Sequence, residues 1–455
     1  MTKRFKWRGF SPSQLLVFGF GIMILMGTIL LSLPIATKSG LPIRFLDALF
    51  TATSAVCVTG LSVFNIGATL SVFGQVTLLV LIQLGGIGFM TMTSMLYMML
   101  GKRFTLRDRL VLQSSMDDPQ LQGIVKMVRD ILLMTAIIEA GAFLIFAVRF
   151  VPMFGVANGL YYSLFQSVST FCNSGFELFG AGTNLSLFAG DPLVMVTTMC
   201  VMVLGGIGFY VILDFYRKAK NKKHHLSLHT KVAVSVSVIL TSVGFVLFLL
   251  LEYNNPRTLG AENVSAPGKA MLALFQSVSA RTAGFAAIPQ DGLMPASKIV
   301  TAVWMFIGGS PSSMAGGIKT TTIALLFLFI MAIIRGKEDV VVFKRTVRKT
   351  IVLRSVVTTA LGVVFVCVAI GIVSLIEYDN PITLSDTVYE VVSSFGTVGL
   401  TSANTAHFTD ASRIVFIILM YGGRVGIFTF TMALAARLER PDARIRYPKD
   451  SIMIG

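Results

Sequence analysis

VVSSFGTVGL, residues Val391–Leu400, is a short polar interruption between apolar stretches, and the chain holds three more like it. ATSAVCVTGL stands at Ala52–Leu61, SVSTFCNSGF at Ser167–Phe176 and SVSARTAGF at Ser277–Phe285. The closing glycines, Gly60, Gly175, Gly284 and Gly399, are 115, 109 and 115 residues apart. Spacing that regular marks four copies of one unit. A glycine pair follows in each copy: Gly85–Gly86, Gly205–Gly206, Gly308–Gly309 and Gly422–Gly423. EYNNP at Glu252–Pro256 and EYDNP at Glu377–Pro381 end the first apolar segment of copies three and four, an independent sign of repetition.

The composition says where such units reside. Of 455 residues, 54% are hydrophobic and only 13% charged, and the mean hydropathy is +0.79. Soluble domains carry about 25% charged residues. Residues 15–33 and 232–251 contain no charge, and about 20 apolar residues suffice to cross a bilayer. A large soluble core is excluded, because such runs recur with basic loops between them. The amino-terminal run is span-length and lacks a small-x-small cleavage site, so it reads as a retained span. Cys57, Cys172, Cys200 and Cys367 have neither metal-ligand spacing nor a disulfide framework.

The net charge of +16 is placed selectively. Five segments hold 28 of the 38 Lys and Arg residues: 1–14, 101–129, 214–231, 335–354 and the tail after Ala436. Twelve of the 22 acidic residues lie neither in nor beside those segments. This is the positive-inside bias of a membrane protein, and it argues against a nucleic-acid-binding face. Both termini and the three long connectors are therefore expected on the cytoplasmic side. The very basic Arg217–His225 suits either an anionic lipid surface or a docked partner subunit.

An even number of crossings must separate successive basic segments. The fold expected is all-α and integral to the membrane: four tandem span–pore-loop–span repeats around one pseudo-fourfold central pore. The units are 1–125, 126–226, 227–345 and 346–455, the first and last carrying the cytoplasmic tails. First spans are expected at 15–33, 131–151, 232–252 and 351–376, and pore helices too short to cross at 45–54, 160–170, 269–279 and 384–394. Return spans are expected at 73–100, 193–215, 299–334 and 414–436. The link 101–129 reads as a charged surface helix. His224, His225, His229 and His407 read as surface histidines, and Glu139 as an outer-end or packing carboxylate.

Non-helical backbone at membrane depth is tolerated only where it is buried in protein or lines a watery cavity. Four equivalent segments around an axis would ring such a cavity. The candidate filter residues are Val56, Cys57, Val58, Thr59 and Gly60; Phe171, Cys172, Asn173, Ser174 and Gly175; Ala280, Arg281, Thr282, Ala283 and Gly284; and Phe395, Gly396, Thr397, Val398 and Gly399. Glycine reaches positive φ and leaves room for carbonyls to face an ion. No acidic ring accompanies them, since Glu177 occurs in one copy only, so ligation would fall to backbone carbonyls. Copy three is one residue shorter from Phe275 to its glycine than copy one from Phe50. Its Arg281 cannot face a cation and is expected behind the filter, paired with a pore-mouth carboxylate.

The third return span is interrupted by GGSPSSMAGGIKTTT, Gly308–Thr322. An unbroken helix is excluded, because an interior glycine costs about 1 kcal/mol and a proline about 3. A polar loop across the permeation path below the filter is expected from Gly308, Gly309, Ser310, Pro311, Ser312, Ser313, Met314, Ala315, Gly316, Gly317 and Lys319. The motif is not a nucleotide-binding loop, because Ile318 separates Gly317 from Lys319. Arg424 follows Gly422–Gly423 where copies one and two have isoleucine. An intramembrane arginine is a functional residue by default: a pore-side barrier, a latch on the glycine loop, or an ion-pair partner.

With these features in hand, the chain resembles the ion-translocating membrane subunit of the Ktr potassium-uptake system, in the Trk/Ktr/HKT superfamily. The resemblance rests on the four filter segments, on GGIGF at Gly85–Phe89 and Gly205–Phe209, and on Asp118–Lys126, LSLHTK (Leu226–Lys231) and SARTAGF (Ser279–Phe285). It continues through AGGIKTTT (Ala315–Thr322), GGRVGIFTF (Gly422–Phe430) and IRYP (Ile445–Pro448), and so covers essentially the whole chain. It implies a potassium-selective pathway in a bacterial cell membrane, with potassium as transported substrate, sodium as an activator and one glycine per filter quarter. It also implies a homodimer on a cytoplasmic RCK/KTN ring that binds ATP and ADP, with no nucleotide on this chain, and it makes Gly308–Lys319 the gate and Arg424 the pore arginine. Cys57-Val58-Thr59 departs slightly from the family's usual first segment. A sodium- or proton-coupled alternating-access transporter is the rival, but it predicts inverted repeats, whereas every copy here begins and ends on one side. An enzyme lacks a His/Asp/Glu cluster, and a scaffold leaves the fourfold glycine unexplained.

Overall fold

The structure, a computed structural model, describes residues 12–88, 124–179, 184–262, 264–427 and 429. The basic amino-terminal segment, most of the link 101–129 and the tail bearing IRYP lie outside the described residues. Among the described residues, four helices are long and apolar enough to cross a membrane, or five if one bent pair counts as a span. They are α1 (Pro12–Leu31), α4 (Ile124–Phe154), α8 (Leu228–Glu252) and α12 (Lys349–Ile376). Each is followed by a short helix: α2 (Phe45–Val56), α5 (Val156–Phe171), α9 (Ala266–Ser279) and α13 (Leu384–Gly396). These contain the four expected short segments, extended by up to four residues at either end.

Each short helix buries one aromatic at the same place, Phe50, Phe165, Phe275 and Tyr389. Among larger side chains such as Phe171 and Phe395, the buried face also carries several small hydroxyls. Hydroxyls there bond back to their own helix, as Thr51 Oγ1 does to Asp47 O at 2.8 Å and Ser163 Oγ to Gly159 O at 2.6 Å. That local bonding lets hydroxyls sit in a dry core without an unpaired group.

The return helices α3 (Val72–Ile87), α6 (Pro192–Ile207), α10 (Pro295–Phe306) and α14 (Asp410–Val425) differ from expectation. Only the third was expected to break. In fact α3 ends at Gly88, α6 at Gly208 and α14 at Gly426, with φ of 90°, 99° and 89°. At Gly208 the chain bends by 98° into α7 (Phe209–Lys220). The cause is conformational: a glycine at positive φ ends a helix however apolar the residues beyond it. The expected continuous return 193–215 is thus corrected, and 73–100 and 414–436 are interrupted at Gly88 and Gly426, their later parts lying mostly outside the described residues. In the third copy the helix stops at Phe306 and resumes as α11 (Thr320–Ile334).

Each return helix packs on the short helix of the next unit: α3 on α5, α6 on α9, α10 on α13 and α14 on α2. The fourth contact brings the chain back to its start. Arg413 on α14 reaches Asp47 on α2 at 3.1 Å, and Arg44 pairs with Asp410. At the seam between copies three and four, Lys298 pairs with Asp386 at 2.7 Å, both largely buried.

The two EY(N/D)NP motifs join long helix to return helix. Glu252 accepts from Thr258 Oγ1 at 2.5 Å and from Met294 N at 3.0 Å, just before α10. Glu377 accepts from Thr409 N at 2.9 Å and Ser412 Oγ at 2.5 Å, at the start of α14. In copy two the pairing is an ion pair, Arg149 of α4 with Asp191, the N-cap of α6.

Candidate functional site

After each short helix the chain makes the same turn. Val58, Asn173, Thr282 and Thr397 are left-handed, with φ of 57°, 57°, 66° and 50°, each two residues before its glycine. Gly60, Gly175, Gly284 and Gly399 then take φ of 98°, 70°, 73° and 98°. A side chain on Gly60 would strike the Ser174 carbonyl and lie 3.1 Å from Gly175. One on Gly175 would lie 3.1 Å from Gly284, one on Gly284 would strike the Val398 carbonyl, and one on Gly399 would strike that of Thr59. The four glycines therefore meet edge to edge in a closed circuit, and only glycine fits both the conformation and the space. A cavity of about 730 Å³ opens above them on the side of the loops that follow. Glu177 lines it, joined by Asp291 of copy three.

The remaining candidate residues, Val56 to Thr59, Phe171 to Ser174, Ala280 to Ala283 and Phe395 to Val398, are buried except Arg281, which is half-buried. Arg281 turns away from the glycines, as expected, but not to a carboxylate. Its guanidinium donates to Ser237 O at 3.2 Å and Ser237 Oγ at 3.3 Å on α8. At that depth the helix supplies carbonyl and hydroxyl acceptors, while the acidic groups stand higher, at the mouth.

The missing residue of copy three is absorbed in the turn. The amide one before the glycine bonds the carbonyl six before it in three copies: Thr59 N to Ser54 O (2.7 Å), Ser174 N to Ser169 O (2.9 Å) and Val398 N to Ser393 O (2.9 Å). In copy three, Ala283 N reaches Ser279 O, five before, at 3.0 Å. These serines were not singled out from the sequence. Their signal was a serine at the same place in all four segments.

The loop Gly308–Lys319 closes at its neck, where Gly308 N bonds Ile318 O at 2.9 Å and Thr320 N bonds Gly309 O at 3.0 Å. Its tip is held by the other units. Ser310 N donates to Gly206 O (3.0 Å), Met314 N to Gly205 O (3.1 Å), and Phe209 N to Ser312 O (2.7 Å). Gly316 has no room for a side chain because Thr397 stands against it. Pro311, Ser313, Ala315 and Gly317 complete the turn, and Lys319 Nζ folds back to Ala315 O at 2.6 Å.

Arg424 spans the same space. It donates to Met314 O of the loop, to Gly85 O at 2.5 Å and to Gly86 O at 2.9 Å. Its register differs from the sequence reading. Gly423 packs on Phe395 O as Gly85 packs on Val56 O and Gly205 on Phe171 O, each four residues before a ring glycine. Three residues on, Gly426, Gly88 and Gly208 end the helices. Arg424 therefore stands where copies one and two have Gly86 and Gly206, not isoleucine. Gly422, which stands where copies one and two have Leu84 and Leu204, hid this.

Of the two readings of Glu139, the packing one fits: it is mid-helix in α4 and accepts from Gln83 Nε2 at 3.2 Å. Cys172 Sγ donates to the same glutamine at 3.3 Å. His224 is not a bare surface group, since its Nε2 lies 2.6 Å from Asp214 Oδ1, and His229 stacks edge-on against Tyr210. His407 lines the mouth cavity. All four cysteines are free, and no group of three or more His, Cys, Asp and Glu is arranged for a metal among the described residues.

The sequence matches the family model described as TrkH, cation transport protein, over residues 16–445. The chain belongs to the TrkH family of cation transport proteins. It is a multi-pass membrane protein of that family. It is 36% identical to the Ktr system potassium uptake protein B of Bacillus subtilis, covering all of this chain and 99% of that one. It is 38% identical to the potassium/sodium uptake protein NtpJ of Enterococcus hirae, over all of this chain and 99% of the relative. Among solved structures, the potassium transporter TrkH from Vibrio parahaemolyticus shares the fold with a TM-score of 0.75. That match has 17% identity and covers 96% of this chain and 88% of that one.

Proposed function

We propose that this chain is a potassium-uptake pathway whose filter is the circuit of Gly60, Gly175, Gly284 and Gly399. The four units, 1–125, 126–226, 227–345 and 346–455, each supply one quarter around a central axis. The observation that carries the reading is the edge-to-edge meeting of four glycines, each two residues after a left-handed turn. A trans peptide holds its carbonyl opposite its N–H, so amides tied back to the short helices leave carbonyls for the axis. K⁺ sheds water against those carbonyls and passes to the loop Gly308–Lys319, which with Arg424 closes the path below. Inward flux is driven by the membrane potential, about 2.3 kcal/mol per charge per 100 mV.

By likeness to the Ktr relatives, the chain forms a homodimer on a cytoplasmic ring that binds ATP and ADP, and movement of that ring opens the loop. The relative named for both potassium and sodium keeps sodium open as second cargo or activator. The test is growth and ion uptake in a potassium-uptake-deficient bacterium, with and without a regulatory ring. Potassium-dependent rescue is expected, with Gly60→Ser lowering the preference for K⁺ over Na⁺. Absence of K⁺ uptake, or an unaltered preference in that variant, removes the filter assignment.

A further inference from the structure

We infer that Ser54, Ser169, Ser279 and Ser393 are positioning residues for the glycine circuit, and that they divide it into two unlike halves. The inference rests on the filter reading above and deepens it. All four serines are fully buried at the end of their short helices, and all four use the backbone carbonyl to anchor the turn. Their hydroxyls act in two ways. Ser54 Oγ accepts from Gly60 N at 3.0 Å, and Ser393 Oγ accepts from Gly399 N at 3.1 Å. Ser169 Oγ instead donates to Phe176 O at 2.5 Å, beside Ser174 Oγ at 2.7 Å. Ser279 Oγ donates to Phe285 O at 2.5 Å.

The chemistry of the two grips differs. Drawing the amide of Gly60 or Gly399 back to the helix turns the carbonyl of the same peptide, Thr59 or Val398, the opposite way. Those are two of the carbonyls that meet the neighbouring glycines. In segments two and three the serine holds the carbonyl after the glycine, which withdraws Phe176 O and Phe285 O from the pathway. The residue after the glycine follows the division: Leu61 and Leu400 in one half, Phe176 and Phe285 in the other. The glycine amides of segments one and four depend on a side-chain acceptor, and a buried N–H left unpaired is rarer and costlier than an under-used carbonyl.

The experiment is K⁺ uptake against competing Na⁺ by the full chain in a potassium-uptake-deficient bacterium, normalised to protein in the membrane. Ser54→Ala and Ser393→Ala are expected to raise half-saturating K⁺ about tenfold and lower K⁺ over Na⁺ preference comparably, with maximal rate within about twofold. Ser169→Ala and Ser279→Ala are expected to shift it by about threefold or less. Ser54→Thr, which keeps the oxygen, should behave as wild type and Ser54→Cys as Ser54→Ala; this pair decides the matter if Ser54→Ala fails to reach the membrane. Unchanged half-saturation in Ser54→Ala and Ser393→Ala, equal shifts in all four alanine variants, or equal behaviour of Thr and Cys at position 54 overturns the inference. A wild type that carries no K⁺ overturns instead the reading it rests on.

Discussion

Arg424 holds three carbonyls from two other parts of the chain, Gly85 and Gly86 of α3 and Met314 of the loop. A hydrogen bond to a charged group contributes about 1.5–3 kcal/mol, and the fork of the guanidinium lets one side chain serve all three acceptors. Arg424→Gln is therefore expected to free the loop tip, raising K⁺ flux measured without the regulatory ring and lowering the melting temperature in detergent. Arg424→Lys keeps the charge but not the fork, so it should fall short of wild type in both. Flux and melting unchanged in Arg424→Gln would remove the latch. At this scale the sequence exposed the glycines and the arginine, because both are costly at membrane depth. It did not expose the arginine's register, because Gly422 stands where copies one and two have Leu84 and Leu204 and imitates the glycine pair. Nor did it expose the acceptors of Arg281, which belong to a helix 44 residues earlier.

The elements divide into those set by local signals and those set by contacts. The short helices are legible because an apolar run of about 12 residues cannot cross a bilayer. The ends of α3, α6 and α14 were missed because hydropathy gives no sign of backbone conformation, and Gly88, Gly208 and Gly426 take positive φ there. The loop between α10 and α11 is pinned at its tip and closed at its neck by separate hydrogen bonds. Deleting Ser310–Ala315 removes the tip alone and is expected to raise flux without the ring; flux still dependent on the ring would contradict a gate there.

The joint at Glu377 makes a pH prediction. Burial pushes this carboxyl up, but hydrogen bonds from Ser412, Thr409 and Asn380 outweigh it and hold the group below its ordinary range. The lowered pKa stabilises the joint above the unfolded value of about 4.3, and the benefit is lost as pH falls below that. The melting-temperature gap between wild type and Glu377→Gln should narrow from pH 6 to pH 3.5, and a constant gap would refute the assignment.

For the molecule as a whole, the recurrence of one glycine turn was legible from four glycines at a steady period. A ring was expected, but the ion pair that joins its last helix to its first was not, since Asp47 and Arg413 carry no mark that they meet. Arg413→Ala leaves Asp47 short of its partner across the seam of α14 and α2. It is expected to cost about 1–3 kcal/mol, read as a lower melting temperature, with Asp47→Asn and the double variant showing less than additive loss. Additive losses would show that the pair is not coupled.

That seam also has a consequence in time. Its partners are 366 residues apart, so the flank of α2 waits for nearly the whole chain to be made. Contacts between such distant residues form slowly, because a very long loop must close before they can form. Through most of synthesis the first short helix, with its buried hydroxyls, has no protein on one side. The first unit made is the last to be enclosed, and a chain that stalls before Asp410 presents an open polar edge to lipid or to another unfinished chain.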